Sequence, residues 1–121
     1  ALVCLDFPLC QSNRLPVFNF AQAFDFLNPE LNYTARATIH MLHRFFALIA
    51  GLIILPLAIF TRHWMLLLLL GIQIALGITN VLAILPLPIA VAHNGVAALL
   101  LLSLLSCCYS VCYKPNSHST I

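Results

Sequence analysis

Four side chains that can do chemistry lie inside strongly apolar parts of this chain. His40, His43 and Arg44 stand close together near the start of one apolar segment, and His93 stands near the start of another. Ionisable side chains are costly in the hydrocarbon of a bilayer, so their presence there marks a functional site by default. Neutral imidazole is a common metal ligand. We therefore predict that His43 and His93 bind one metal ion from two different helices.

The composition indicates that these apolar segments cross a membrane. Of the 121 residues, 63% are hydrophobic and only 7% are charged, whereas a soluble domain has about 25% charged residues. We predict an all-α membrane protein that has the lipid bilayer as a partner. The formal net charge of +2 is too small to indicate a nucleic-acid partner.

Three apolar segments are long enough to span the hydrocarbon as helices, which takes about 20 residues. Thr34 is the predicted N-cap of the first span. Pro86 and Pro88 separate the second span from the third, because proline interrupts a helix. The predicted spans are residues 35–60, 64–85 and 89–112.

The predicted spans bring the two histidines to similar depths. The first and third spans run in the same direction, with His43 about 12 Å and His93 about 6 Å beyond their starts, at about 1.5 Å per residue. Histidines on facing helices hold cofactors in bundles, and histidine is a standard haem ligand. Small residues near both leave room for a macrocycle, namely Ala47, Ala50, Gly51, Gly95, Ala97 and Ala98. We predict haem here, although small residues also let membrane helices pack closely.

Neighbouring polar residues have supporting roles in this interpretation. Arg44 is predicted to pair with a haem propionate, because guanidinium suits carboxylate geometry. His40 is predicted to be an accessory group for protons or a propionate rather than a third ligand, and zinc is disfavoured because it prefers four ligands. On the second span, Gln73, Gly77 and Asn80 share one face. That face is predicted to point into the bundle, either for hydrogen bonds between helices or beside the cofactor.

Residues 1–34 are more polar and are predicted to form a loop that ends in a short interfacial segment. Cys4 and Cys10 can form a disulfide across their short separation, and a redox-active pair is the alternative. Basic residues are equally common at the two ends of the spans and settle no orientation. A disulfide needs an oxidising compartment, which places the loop outside the cytoplasm and residues 114–121 in a cytoplasmic tail. The aromatic residues of the interfacial segment are Phe18, Phe20, Phe24 and Phe26.

Several motifs in combination resemble those of a known enzyme family. They are Cys4-x5-Cys10 with Asp6-Phe7-Pro8, His40-x2-His43-Arg44, Gln73-Ile-x-Leu-Gly77-Ile-x-Asn80-Val81, Leu85-Pro86-Leu87 and Ala92-His93. With these motifs the chain resembles the C-terminal half of haem A synthase, a membrane enzyme of cytochrome oxidase assembly. The resemblance covers nearly the whole chain.

The resemblance implies an eight-span enzyme with two similar four-helix halves, of which this chain supplies most of one. It implies oxidation of the C8 methyl group of haem O to the formyl group of haem A. His43 and His93 match the axial ligands of a permanent haem b that passes electrons. His40 falls where the other half has a glutamate, and Cys4 and Cys10 match a disulfide of the outer loop.

The resemblance also implies a setting in the bacterial inner membrane. The implied partners are the missing N-terminal half, haem O as substrate, haem O synthase and cytochrome oxidase assembly factors. Because the chain starts at Ala1 without a methionine, we predict a piece of a longer protein or a processed one. A piece is expected to be inactive by itself, and a split version that pairs with another subunit is the alternative. Two rival hypotheses are a non-catalytic b-type cytochrome that carries electrons and a structural assembly subunit whose histidines only hold helices together.

Overall fold

The computed structural model describes residues 4, 9–10, 14–25, 27 and 32–113. Within these ranges the helices are α1, Phe20–Ala23; α2, Tyr33–Phe60; α3, Trp64–Leu82; and α4, Leu87–Cys112. Helices α2, α3 and α4 are long and apolar enough to cross a membrane. The predicted all-α membrane fold with three spanning helices is therefore confirmed. The predicted tail, residues 114–121, lies outside the described residues, as does most of the segment between Cys4 and Cys10.

Helix α2 begins at Tyr33 because Asn32, and not Thr34, is its N-cap. The Asn32 side chain accepts a hydrogen bond from the backbone N–H of Ala35 at 2.9 Å. Thr34 lies in the first turn instead, where its hydroxyl donates to Asn32 Oδ1 at 2.9 Å. A side-chain oxygen at the N-cap satisfies one of the backbone donors that lack a partner at a helix start. The predicted cap at Thr34 was therefore wrong.

Replacing Asn32 with alanine should destabilise the start of α2. Loss of an N-cap costs about 1 kcal/mol, so Asn32→Ala should lower the midpoint of thermal unfolding in detergent by a few degrees. Asn32→Asp keeps an oxygen acceptor and serves as the control. Equal losses in the two variants would show that the cap contributes nothing.

The turn between α3 and α4 occupies residues 83–86 and is shaped by proline and by unusual backbone angles. Ile84 and Leu85 have φ values of 58° and 57°, the left-handed region that side chains disfavour. Pro86 disfavours a helical conformation at the residue before it, so α3 ends earlier than predicted. Pro88 lies in the first turn of α4, where its missing N–H breaks no helical hydrogen bond. For this reason α4 begins before Pro88 and not after it.

A packed core joins the three spanning helices at the end away from the N-terminal loop. Its buried members come from all three helices and are Ile54, Ala58, Leu66, Leu70 and Cys107. The Cys107 thiol also donates a hydrogen bond of 3.4 Å to the hydroxyl of Thr61, in the turn between α2 and α3. Burial of apolar groups and close packing hold this end together. This core therefore holds the three helices in place relative to one another at that end of the bundle.

At the opposite end the N-terminal segment packs on the first turns of α2. Cys4 and Cys10 form a buried cluster with Ala37 and Met41. The backbone N–H of Asn19 donates to the Thr38 hydroxyl at 2.9 Å. These contacts place the loop beside the part of α2 that carries the histidines. The exposed aromatics around α1 include Phe18 and Phe20, which stack at 5.6 Å; their place at the membrane surface stays a prediction.

Candidate functional site

The bundle brings the imidazoles of His43 on α2 and His93 on α4 together. Their ring centroids are 6.2 Å apart, and the ring planes make an angle of 70°. Two imidazoles that bind one metal from opposite sides, each through a nitrogen at about 2 Å, put their ring centres roughly 6 Å apart. The spacing of the two rings therefore suits a single metal ion between them.

The two histidines differ in their surroundings. His93 is half-buried between α4 and α3, whereas His43 is exposed on the surface of the bundle. A polar group that faces hydrocarbon must find its partner within protein or a bound group, because there is no water to serve it. The site is therefore covered by this chain on the His93 side and open on the His43 side.

Helix α3 receives the His93 ring at two points, one helical turn apart. The amide nitrogen Nε2 of Gln73 lies 3.2 Å from Nε2 of His93. A Cβ added at Gly77 would lie 3.3 Å from Cε1 of His93 and 3.8 Å from Nδ1. The ring edge therefore rests where Gly77 has no side chain, with the Gln73 amide against one nitrogen.

Unpaired buried atoms and local space test whether these residues suit a haem. Nδ1 of His93 and Oε1 of Gln73 are buried and have no hydrogen-bond partner among the described residues. Such atoms are costly unless they are paired, and a bond to iron would pair a ring nitrogen. A Cβ added at Gly51 or Gly95 would meet no described atom within 4 Å, so a side chain at either position would not be in contact with the rest of the bundle. The observation that fits one iron between the histidines is the spacing of their two rings.

The guanidinium of Arg44 binds the N-terminal segment to α2. Its Nη1 donates to the carbonyl oxygen of Leu9 at 3.1 Å, and its Nη2 donates to that of Cys4 at 3.0 Å. Hydrogen bonds from a charged donor are stronger than neutral ones. Sequence reasoning missed this role, since nothing in the sequence links residues so far apart. The contact with a haem propionate predicted for Arg44 stays a prediction.

Cys4 and Cys10 are joined in a disulfide. Both residues are almost fully buried, at 0% and 1% exposure, against the α2 face formed by Ala37 and Met41. A reductant can reach the bond only after this cover opens. Arg44 holds the carbonyls at Cys4 and Leu9, so it contributes to keeping the cover closed.

Removing the Arg44 guanidinium should expose the disulfide. Hydrogen bonds to charged groups contribute about 1.5–3 kcal/mol each, and 1.4 kcal/mol is a factor of about ten in population. We expect Arg44→Met to speed reduction of the Cys4–Cys10 bond by dithiothreitol at least about tenfold, measured by thiol labelling. Arg36→Met, at an exposed position on the same helix, is the control. Equal reduction rates in both variants would refute this role of Arg44.

The other candidate residues lie at the margins of the pair. His40 is half-buried one turn before His43, and its accessory role stays a prediction. His63 is half-buried as the N-cap residue of α3, at the far end of the bundle. The sequence predicted that the face of α3 with Gln73 and Gly77 points into the bundle but did not identify its partner. In the structure the partner of Gln73 is His93.

These features define a helical membrane protein with a histidine pair shared between two spanning helices. The cytochrome oxidase assembly protein family (COX15-CtaA) matches residues 1–105, and the chain belongs to that family. The chain is 40% identical to a heme A synthase from Shewanella oneidensis, in a match that covers all of the chain and 42% of that protein. The resemblance to haem A synthase found in the sequence is thereby confirmed. No solved structure matches the chain significantly.

The chain spans less than half the length of the curated relative that it matches. That relative is named a heme A synthase, and the activity of a whole protein of that length is a separate question from what the residues of this chain can do.

Proposed function

We propose that this chain is the C-terminal, haem b-binding part of a haem A synthase, and that its role is electron transfer. The whole enzyme would oxidise the C8 methyl group of haem O to the formyl group of haem A. The observation that carries the proposal is the contact of the His43 and His93 rings at 6.2 Å. Family membership and identity to a heme A synthase support the reaction.

In this proposal His43 and His93 are the axial ligands, one from each of two helices. A haem held by two imidazoles supplies one-electron transfer. The packed core at Ile54, Leu70 and Cys107 holds the three spanning helices together, which supports a constant spacing of the two rings.

The exposed side of His43 gives the rest of the protein a place in the proposal. The relative has a further region that this chain does not match. We propose that a corresponding region of the whole protein covers this side and binds haem O. Haem O synthase and cytochrome oxidase assembly factors are the proposed further partners. The proposed location is the bacterial inner membrane, with the disulfide-bearing loop outside and the C-terminus in the cytoplasm.

The test is to express the full-length protein in a bacterium that makes haem O but lacks its own haem A synthase. Extracted haems are separated by chromatography, and the purified protein is examined by reduced-minus-oxidised spectroscopy. The proposal expects haem A in the extract and a bis-histidine b-type spectrum. Bound haem without conversion of haem O would favour a b-type electron carrier. Protein free of tetrapyrrole would favour a structural assembly subunit.

A further inference from the structure

We propose that the groove between the N-terminal segment and the start of α2 binds an anionic phospholipid, with the Arg14 guanidinium on the headgroup phosphate. The groove has a volume of about 310 Å³. Residues of both elements line it, and they include Arg14, Leu15, Val17, Tyr33 and Thr34. The inference is separate from the proposed function, because it concerns neither residue of the histidine pair.

The length of α2 places this groove at the level of the lipid headgroups. Its 28 residues extend about 42 Å at about 1.5 Å per residue. The hydrocarbon of a bilayer is about 30 Å thick, so about four residues at each end of α2 reach into the polar layers. Tyr33 and Thr34 are the first two residues of α2, and tyrosine is enriched at this level of membrane proteins. The groove that they line therefore lies among the headgroups.

The charge of the lining favours a negative headgroup. Arg14 is exposed, and no carboxylate lines the groove among the described residues. No residue that the structure describes forms a hydrogen bond or an ion pair with the Arg14 guanidinium. Guanidinium can donate two parallel hydrogen bonds to one phosphate. Tyr33 is also exposed, and its hydroxyl can donate to a phosphate or to an ester carbonyl.

The backbone of Arg14 is held in place beside the groove. Its N–H donates a hydrogen bond of 3.0 Å to the carbonyl oxygen of Cys10, and Cys10 is bound to Cys4 in the disulfide. Cys10 is almost fully buried in a cluster with Ala37 of α2. Only the side chain of the arginine therefore has to be ordered when a phosphate binds, which lowers the entropic cost of binding.

The apolar part of the lining suits an acyl chain. Leu15 and Val17 are 62% and 80% exposed, and Pro16 between them also lines the groove. Exposed apolar side chains in a row are stabilised by an apolar partner. A lipid tail supplies such a partner at the edge of the hydrocarbon, whereas a free phosphate does not. Basic pockets at this level of membrane proteins bind anionic headgroups, so the combination indicates a phospholipid.

The experiment measures lipid binding to the full-length protein after its own lipids have been removed in detergent. Dioleoyl phosphatidylglycerol is titrated, and bound lipid is counted by native mass spectrometry. Dioleoyl phosphatidylcholine and inorganic phosphate are the other two probes. The variants are Arg14→Gln, Arg14→Lys and Arg36→Gln. Arg36 is the matched control, because it is an exposed arginine near the start of α2 that does not line the groove.

We expect the parent protein to bind one phosphatidylglycerol more tightly than phosphatidylcholine, and inorganic phosphate not to displace it. Loss of the hydrogen bonds from the Arg14 guanidinium should weaken this binding at least about tenfold in Arg14→Gln. Arg14→Lys keeps the charge without the two parallel donors and should lose less. Arg36→Gln should lose at most about fivefold, which is what a charge near the membrane surface contributes.

Equal losses in Arg14→Gln and Arg36→Gln would overturn the inference, because binding would then follow surface charge alone. Displacement of the lipid by inorganic phosphate would indicate a site for a free anion and would overturn it as well. A parent protein that binds no phosphatidylglycerol would do the same, and this result is expected if another region of the whole protein covers the groove. The thermal unfolding midpoint of Arg14→Gln should equal that of the parent, which separates lost binding from lost folding.

Discussion

Replacing either His43 or His93 with alanine is expected to abolish the b-type haem signal of the full-length protein. Each side chain supplies one of two axial bonds, and alanine offers no replacement donor. The other ring also loses the neighbour that lies 6.2 Å away. Both residues lie in helices long and apolar enough to cross a membrane, where water is scarce and therefore a poor substitute ligand. The measurement is haem content per protein by the pyridine haemochrome spectrum, together with the reduced-minus-oxidised difference spectrum.

His63→Ala is the matched control for these two variants. It removes an imidazole from the opposite end of the bundle, beyond the core of Ile54 and Leu66. Its haem content should equal that of the parent protein. A full spectrum in His43→Ala or His93→Ala would remove the basis for haem binding between α2 and α4.

Gly77→Leu is expected to cause the second-largest loss, by pushing His93 out of its place. The first added carbon already lies 3.3 Å from Cε1 of His93, closer than ordinary contact, and leucine adds three more carbons. Adding bulk to a packed site costs about 1–3 kcal/mol, and here the ring is the group that must move. We expect loss of most of the haem and a change in the remaining spectrum from low spin towards high spin. Gly77→Ala should show a smaller loss, since a shift of a few tenths of an ångström suffices.

Gly71→Leu is the control, because it makes the same exchange on the same helix. A Cβ at Gly71 would meet nothing within 4 Å of the described atoms, and the residue is exposed. Leucine there should leave haem content and spectrum unchanged. Equal losses at Gly71 and Gly77 would mean that leucine damages α3 in general and that the space beside His93 has no special part.

The position of Arg44 gives the disulfide and the histidine pair a shared support. Arg44 is the residue after His43, and its guanidinium binds the carbonyls of Cys4 and Leu9. Opening of the loop would therefore act on the same turn of α2 that carries His43. In Arg44→Met, both the rate of disulfide reduction and the haem content therefore report on the contact of Arg44 with the loop carbonyls.

The sequence by itself determined the membrane class, the three spans and the level of the two histidines. Apolar runs of this length have few alternatives in a bilayer. The rise per residue of a helix is nearly constant, so the places of His43 and His93 within their spans set their depth. The motifs around these residues were also sufficient to indicate the family, which the match to residues 1–105 confirmed.

Only the tertiary structure decided which neighbours these residues have. The rotation of each helix about its axis depends on packing. For this reason the sequence could not show that the partner of Gln73 is His93. Arg44 reaches carbonyls about forty positions away because the loop folds back onto α2. The starts of α2 and α4 were misplaced by about two residues for local reasons, because Asn32 rather than Thr34 caps α2 and Pro88 is tolerated in the first turn of α4. Sequence patterns fix depth along a helix, whereas contacts across helices depend on how the whole bundle packs.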